Sequence, residues 1–369
     1  MATHRYLSSE LYEAYRKALT GGLSEQGVSE DKINEILEYA DRLHKNGVPI
    51  IFDQPHLAAL LGYDLDYLQV LSTCKEDFYK EYKIPKRSGG FRVIDEPLPN
   101  LKEIQRWILD NILLSPDIVG TVSSVATAFI PERDIILNAR PHVGRRVVIC
   151  MDIKDFFPSV KWYAVYLVFV GIGYKKDVAG MLAHLCTLRD SLPQGAPTSP
   201  MLSNLVLRRI DNKIASFCEK KGVTYTRYAD DLTFSMDDKM KYGVLMSYVR
   251  DMVRKGGFTI NERKTKVYHR NHAQYVTGIV VNERLHVARK YRRDIRQEIY
   301  YLQKYGLPDH YSRIETRFSR GAYLNHLLGK INFVVHVNPE DEEMSGYRSY
   351  LKKLIAGNES CEVAGVPRP

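Results

Sequence analysis

Tyr228-Ala229-Asp230-Asp231 decides the reading of this chain. It lies between two runs rich in β-branched and aromatic residues, Val223-Thr224-Tyr225-Thr226-Arg227-Tyr228 and Leu232-Thr233-Phe234-Ser235-Met236. Both read as strands, so a tight turn would hold the two carboxylates at a hairpin tip. Adjacent like charges repel, and the pair is costly unless water or a divalent cation neutralises it. Asp237-Asp238, a few residues on, is a similar pair and reads as a solvated loop.

A second acidic strand end gives the pair a context. Arg145-Arg146-Val147-Val148-Ile149-Cys150-Met151-Asp152 is an apolar run ending in a carboxylate. Its apolar residues do not alternate with polar ones, as in a strand buried on both faces. A carboxylate at the end of a buried strand, with a carboxylate pair on a hairpin, can hold two Mg²⁺. Such ions perform phosphoryl transfer, one activating an attacking hydroxyl and the other stabilising the leaving pyrophosphate. Mg²⁺ keeps several waters and the substrate phosphates, so few protein ligands suffice.

Here the chain resembles a family. Met151-Asp152-Ile153-Lys154-Asp155-Phe156-Phe157-Pro158-Ser159-Val160, Leu192-Pro193-Gln194-Gly195-Ala196-Pro197-Thr198-Ser199-Pro200 and Tyr228-Ala229-Asp230-Asp231 follow the order of the reverse-transcriptase palm. More narrowly, the chain looks like a bacterial retron reverse transcriptase. Asn138-Ala139-Arg140-Pro141-His142 matches the Asn-Ala-x-x-His signature of that group, and Val276-Thr277-Gly278 its Val-Thr-Gly signature. Ile84-Pro85-Lys86-Arg87-Ser88-Gly89-Gly90-Phe91-Arg92-Val93-Ile94 matches its fingers hairpin.

The resemblance implies an α+β right-hand polymerase with fingers, palm and helical thumb. Residues 1–48 form an N-terminal helical extension, 49–145 the fingers with the first palm elements, and 146–283 the palm. Residues 284–356 form a basic helical thumb, and 357–369 a disordered tail. The implied roles follow the motifs. Asp152 and Asp230 bind two Mg²⁺, with Mn²⁺ able to substitute; the Ile153 carbonyl is a further ligand, and Asp231 a weaker or outer one. Phe157 sits beneath the incoming sugar and excludes a 2′-hydroxyl, because an aromatic ring offers it no hydrogen bond. Phe156 is the adjacent candidate. Gln194 and Gly195 approach the nascent base pair. Lys86, Arg87 and Arg92 clamp the triphosphate, Arg92 best by its fork-like geometry. Lys264 protonates or neutralises the departing pyrophosphate. Asn138, His142, Thr277 and Gly278 stand near RNA or the primer end, and His142 holds RNA or orders the loop ahead of the palm.

Composition agrees. The chain has 369 residues, 44% of them hydrophobic, ample for a large core and two or three subdomains. A formal net charge of +9 favours a polyanionic partner. Cysteines at 74, 150, 186, 218 and 361 show no paired spacing, which argues against a zinc site or disulfide framework and fits a reducing cytoplasm. No long apolar run or apolar signal core is present, so no membrane contact is expected.

Local patterns fill in the elements. Ser29 reads as an N-cap, ahead of a stripe of Ile33, Leu37, Ala40 and Leu43. His56 to Leu71 and Leu101 to Leu114 read as helical, and Trp162 to Val170 as a buried segment. Pro200 to Phe217 and Tyr242 to Lys255 read as palm helices. Residues 284–304 hold seven Arg or Lys and two acids. Arg289, Arg292, Arg293 and Arg296 share one helical face, opposite Tyr291, Ile295, Ile299 and Leu302, as in a helix that packs on one side and tracks a phosphate backbone on the other.

The expected reaction is RNA-templated addition of deoxynucleotides (dNTPs) to a primer. If retron-like, the chain uses a cognate structured non-coding RNA, primes from an internal guanosine 2′-hydroxyl, and makes a branched RNA–DNA hybrid. Such systems serve antiphage defence, usually with a separate effector protein. The rivals are a group II intron or diversity-generating reverse transcriptase, and an inactive polymerase-fold RNA-binding scaffold.

Overall fold

A computed structural model describes residues 8–86, 89–237, 242–314 and 318–363. Four helices come first: α1 (Ser9–Glu25), α2 (Glu30–Lys45), α3 (Gln54–Leu61) and α4 (Leu65–Thr73). The α2 stripe is buried at Ile33, Leu37, Ala40 and Leu43. Ser29 stands at its N-cap position, but its hydroxyl makes no capping bond. The patch expected from His56 is two helices, because Gly62 turns left-handed at φ 75 and ends α3.

Strands β1 (Tyr79–Pro85) and β2 (Phe91–Pro97) form the expected antiparallel hairpin, Tyr79 opposite Pro97 and Pro85 opposite Phe91. Next come α5 (Pro99–Ile108), continued by a π-helical turn at Leu109–Leu113, then α6 (Pro116–Gly120) and α7 (Ile135–Ala139). Strand β3 (Val147–Asp152) leads into α8 (Phe156–Ser159). Helix α9 (Trp162–Ile172) buries only Val165, Phe169 and Ile172; Tyr163 and Leu167 are exposed. The expectation of a wholly buried segment is thus corrected: a helix sends its side chains all round, and one stripe packs. Helices α10 (Lys176–Leu185) and α11 (Ser199–Lys220), strands β4 (Thr224–Tyr228) and β5 (Asp231–Met236), and α12 (Tyr242–Lys255) follow. Strands β6 (Lys266–His269), β7 (Tyr275–Val276) and β8 (Ile279–Val280) precede α13 (Arg289–Arg313), α14 (Arg320–Val337) and α15 (Glu342–Val363). The four-stranded sheet has the order β4-β5-β3-β6, with Val147 opposite His269 in the β3–β6 ladder.

Two compact units emerge. One comprises Met1–Arg133, Met151–Leu232 and Met240–Thr265; the other comprises Asp134–Cys150, Thr233–Lys239 and Lys266–Pro369. The second has its own core of Val276, Ile279, Ile295, Ile299, Leu302, Leu324, Leu327 and Ile331. Helix α13 is interrupted in it by Gly306, at φ 73 and ψ 166, just before Pro308. Helix α15 runs to Val363, past the expected start of the tail at 357, and residues 364–369 lie outside the described ones. Among the described residues, no helix is long and apolar enough to cross a membrane.

Candidate active site

The site lies in the first unit, at the ends of β3 and of the β4–β5 hairpin. Ala229 adopts a left-handed φ of 57, which turns the chain between Tyr228 and Asp231. The Ile153 N–H donates to the Asp230 carbonyl at 2.9 Å, tying the two acidic segments together. Asn261 N–H donates to the Asp152 carbonyl at 2.7 Å, and Lys154 N–H to the Thr259 carbonyl at 2.8 Å. These bonds bring the segment before Lys264 alongside Asp152. The Lys264 Nζ then lies 2.6 Å from Asp152 Oδ2.

The electrostatics are those of crowded anions. Burial, then Asp152, pushes the Asp230 carboxyl above its ordinary range, while Lys264 and Arg92 act against the shift. Asp231 is pushed up to about 6 by burial, then Asp230, then Asp152. Burial alone would lower the Lys264 ammonium, but the three carboxylates, Asp152 foremost, hold it above the usual lysine range. Three hard oxygen donors that repel one another, with an ammonium against one of them, have the chemistry of a divalent-cation site. The chain's residues therefore fit such ions. Among the described residues no three or more His, Cys, Asp or Glu side chains converge as a closed metal cage, so the fit rests on the donor chemistry and on the waters and substrate phosphates that Mg²⁺ keeps.

Phe157 is half-buried, its ring 6.2 Å from Phe129 and 5.2 Å from Phe156. Phe156 is buried and belongs to the core. Arg92 lies on β2, exposed but within electrostatic reach of Asp230. Lys86 is exposed at the hairpin end, and Arg87 lies outside the described residues.

Gln194 and Gly195 lie against the chain's own β2. The Gln194 carbonyl accepts from Asp95 N–H at 2.9 Å, and Gly195 has φ 143. A Cβ at Gly195 would meet the Asp95 carbonyl oxygen at 2.6 Å. The close approach that demands glycine is thus to the chain's own β2 strand. Gly195→Ala is expected to cost about 1–3 kcal/mol of stability and to raise KM for the nucleotide, because β2 also carries Arg92. Thermal denaturation and steady-state kinetics check this; an unchanged melting point would mean that the loop yields without strain.

A support that sequence reading missed lies beneath the hairpin. Arg227 is fully buried and grips Asp211, with Nε 2.9 Å from Oδ1 and Nη2 2.6 Å from Oδ2. Tyr225 donates to the same carboxylate at 2.9 Å. Arg227 Nη1 donates to the Ala229 carbonyl at 3.0 Å and to Asn204 Oδ1 at 3.1 Å. Asn204 in turn donates to the Ala128 carbonyl at 2.8 Å, next to Phe129, itself left-handed at φ 63. One buried guanidinium thus braces both the acidic turn and the segment that presents a ring to Phe157. The available signal was a charge of the same strand parity as Tyr225, inside an otherwise strand-like run.

Other expectations change in the second unit. Asn138 and His142 are both fully buried. Asn138 Nδ2 donates to Thr277 Oγ1 at 3.4 Å. His142 Nδ1 is 2.7 Å from Ser235 Oγ. Burial, then Arg145, lowers the His142 pKa to about 3, so the ring is neutral. Both side chains are thus internal ties in this structure, and for His142 ordering the loop ahead of the palm is the alternative compatible with its bond to Ser235. Thr277, at φ 46, and Gly278, at φ 84, make a turn between β7 and β8. Asp237 is no free loop acid: it pairs with Arg145 and accepts from Arg146 N–H at 3.0 Å, while Asp238 lies outside the described residues.

The basic stripe is split. Arg292 pairs with Asp341 at 2.8 Å, and Arg296 makes two bonds of 2.6 Å to Glu343. Arg289 and Arg293 are exposed and make no ion pair among the described residues. Counting charges along one helix could not reveal acids that approach from 50 residues later. Opposite the arginines, Ile295, Ile299 and Leu302 are buried as expected.

The family described as "Reverse transcriptase (RNA-dependent DNA polymerase)" matches residues 84–302. The Retron Mx65 reverse transcriptase of Myxococcus xanthus is 36% identical, over 84% of this chain and 74% of its own length. The Retron Mx162 reverse transcriptase of the same organism is 32% identical, over 75% and 64%. The Retron Ec86 reverse transcriptase of Escherichia coli is 28% identical, over 86% and 95%.

Proposed function

Since the chain belongs to the reverse transcriptase family, and within it to the retron type, we propose that it copies a cognate structured non-coding RNA into DNA, starting from the 2′-hydroxyl of an internal guanosine. RNA-directed DNA polymerisation and the right-hand polymerase fold come with the family. The observation that carries the reading to these residues is the meeting of Asp152, Asp230 and Lys264 with Asp231 beside them.

The family uses divalent metal ions. In this chain Asp152, Asp230, Asp231 and the Ile153 carbonyl would hold two Mg²⁺, with Mn²⁺ able to substitute. When bound, such ions lower the cost of a deprotonated attacking hydroxyl and of the charge that builds on the leaving oxygen. The transfer forms a bond from the primer hydroxyl oxygen to the α-phosphorus and breaks the bond to pyrophosphate. Lys264, held by Asp152, neutralises or protonates the departing group. Arg92 and Lys86 grip the triphosphate from the hairpin, and Arg87 is assigned the same task. Gln194 stands by the nascent pair, on the loop that Gly195 lets close against β2. Phe157, backed by Phe156 and Phe129, closes the space for a 2′-hydroxyl.

The product is a branched RNA–DNA hybrid, and the partners are the RNA, dNTPs and a separate effector protein in cytoplasmic antiphage defence. The exposed Arg289 and Arg293 follow the duplex backbone, with Thr277 and Gly278 near the primer end. Residues 1–48, 49–145, 146–283 and 284–356 are assigned as extension, fingers, palm and thumb. The test is to purify the chain with its bound nucleic acid and treat that with debranching enzyme. A branched hybrid is expected; unbranched cDNA would favour another reverse transcriptase type. In a second test, Phe157→Val should lower the ratio of catalytic efficiencies for dGTP over GTP on the order of a hundredfold. An unchanged ratio would move the gate to Phe156 or Phe129.

A further inference from the structure

We propose that the exposed face of α11, together with Tyr248 of α12, is a second nucleic-acid site that takes a single-stranded segment. It goes beyond the polymerase reading and does not depend on polymerisation. Helix α11 buries Asn204, Leu207, Asp211, Ile214 and Cys218 as one stripe. At about 100° per residue, Arg209, Lys213, Ser216 and Lys220 fall within roughly 60° of one another on the opposite side. Arg209, Lys213 and Lys220 are exposed, and none makes an ion pair among the described residues. Some other cations of this unit are paired within the fold, as in Lys32–Glu35, Lys102–Glu96 and Arg250–Glu262. Asp211, the acid inside this run, is buried against Arg227, and Glu219 lies about 90° off the stripe.

Beside the stripe is a cleft of about 400 Å³, lined by Asn212, Lys213, Ser216, Phe217, Lys220 and Tyr248. None of these is acidic. The Phe217 and Tyr248 rings stack at 4.0 Å and 13° and are half-buried. The volume suits one nucleotide-sized group. Lysines beside an aromatic platform bind single strands, phosphates going to the ammonium groups and a base to the ring face. Asn212 and Ser216 add hydrogen-bonding groups for a base or sugar. A duplex has its bases already stacked and cannot offer one to the ring. An acidic peptide would satisfy the lysines but leave the platform unused. The ligand is therefore a single strand, from unpaired RNA or from displaced or newly made DNA.

The full chain, saturated with an unlabelled RNA–DNA primer–template, is titrated with labelled oligo(U) and oligo(dT) by fluorescence anisotropy at several salt concentrations. Binding at this second site should persist. Lys213→Gln with Lys220→Gln should weaken it tenfold or more and lower the log–log salt slope by about 1.4, at about 0.7 per contact on a single strand. Tyr248→Leu should weaken it on the order of tenfold with little change of slope. Tyr248→Phe, which keeps the ring, should bind like the parent, and primer extension should be unchanged in every variant. The stronger of the two oligonucleotides identifies the source strand. The proposal fails if the lysine variant and Tyr248→Leu both bind within twofold of the parent. It also fails if polyglutamate of equal charge competes as well as the oligonucleotides, which would point to an acidic protein partner.

Discussion

Asp230→Asn is expected to abolish DNA synthesis while leaving the fold and RNA binding in place. The side chain keeps its size, so no cavity opens. What is lost is one of three carboxylates that repel one another in a buried setting. On its proposed role in holding the metal ions, losing the Asp230 charge costs several kcal/mol at the transition state, on the order of a thousandfold or more in rate. A second readout separates this from damage. The Asp231 pKa, raised to about 6 by burial and then by Asp230, should fall when that neighbour is neutral. A raised acid costs stability as pH climbs from its unfolded value through its folded one. Without divalent ions, the variant should therefore be at least as stable as the parent at pH 7, and should lose less stability between about pH 4 and pH 7. Primer extension with Mg²⁺ and thermal melting at several pH values measure both. Synthesis within tenfold of the parent would place the metal site elsewhere.

The second large effect concerns Arg227. Arg227→Met would leave Asp211, 1% exposed, as a buried charge without its cationic partner, held only by the Tyr225 hydroxyl. Removing one member of a buried pair costs about 3–5 kcal/mol. The Ala229 carbonyl would also lose its donor, freeing the left-handed turn that sets Asp230 and Asp231. Adding Asp211→Leu should restore much of the stability, because replacing both members of a buried pair is far cheaper than orphaning one. It should not restore synthesis, since the turn stays unbraced. Urea unfolding and primer extension on the two variants decide the point. A double variant no more stable than the single one would show that the Tyr225 hydroxyl alone compensates Asp211.

Much of the site was legible because it is written in contiguous letters. The strands around Asp230, the buried strand ending in Asp152 and the glycine-tipped hairpin are local patterns, and local patterns survive without coordinates. Lys264 was placed by motif; its contact with Asp152 depends on backbone bonds between distant segments. Less legible were the relations among distant residues. Gly195 needs its freedom for Asp95, 100 positions earlier. Arg292 and Arg296 meet acids 49 and 47 residues later, at Asp341 and Glu343. Arg227 looked like one more polar letter in a strand, yet it links Asp211, Asn204 and Ala229. For the helix arginines, periodicity gave a shared face but not what would come to lie against it.

Asn138 and His142 have a consequence for how chains of this type differ. Both are sealed inside the fold, one tied to Thr277 and the other to Ser235. A signature written in inward-facing residues identifies an architecture and carries no address. Two chains with identical letters there are free to serve different RNAs, as two locks cut from one casting accept different keys. In this chain, side-chain recognition of an RNA would fall instead to outward-facing residues such as Arg289 and Arg293.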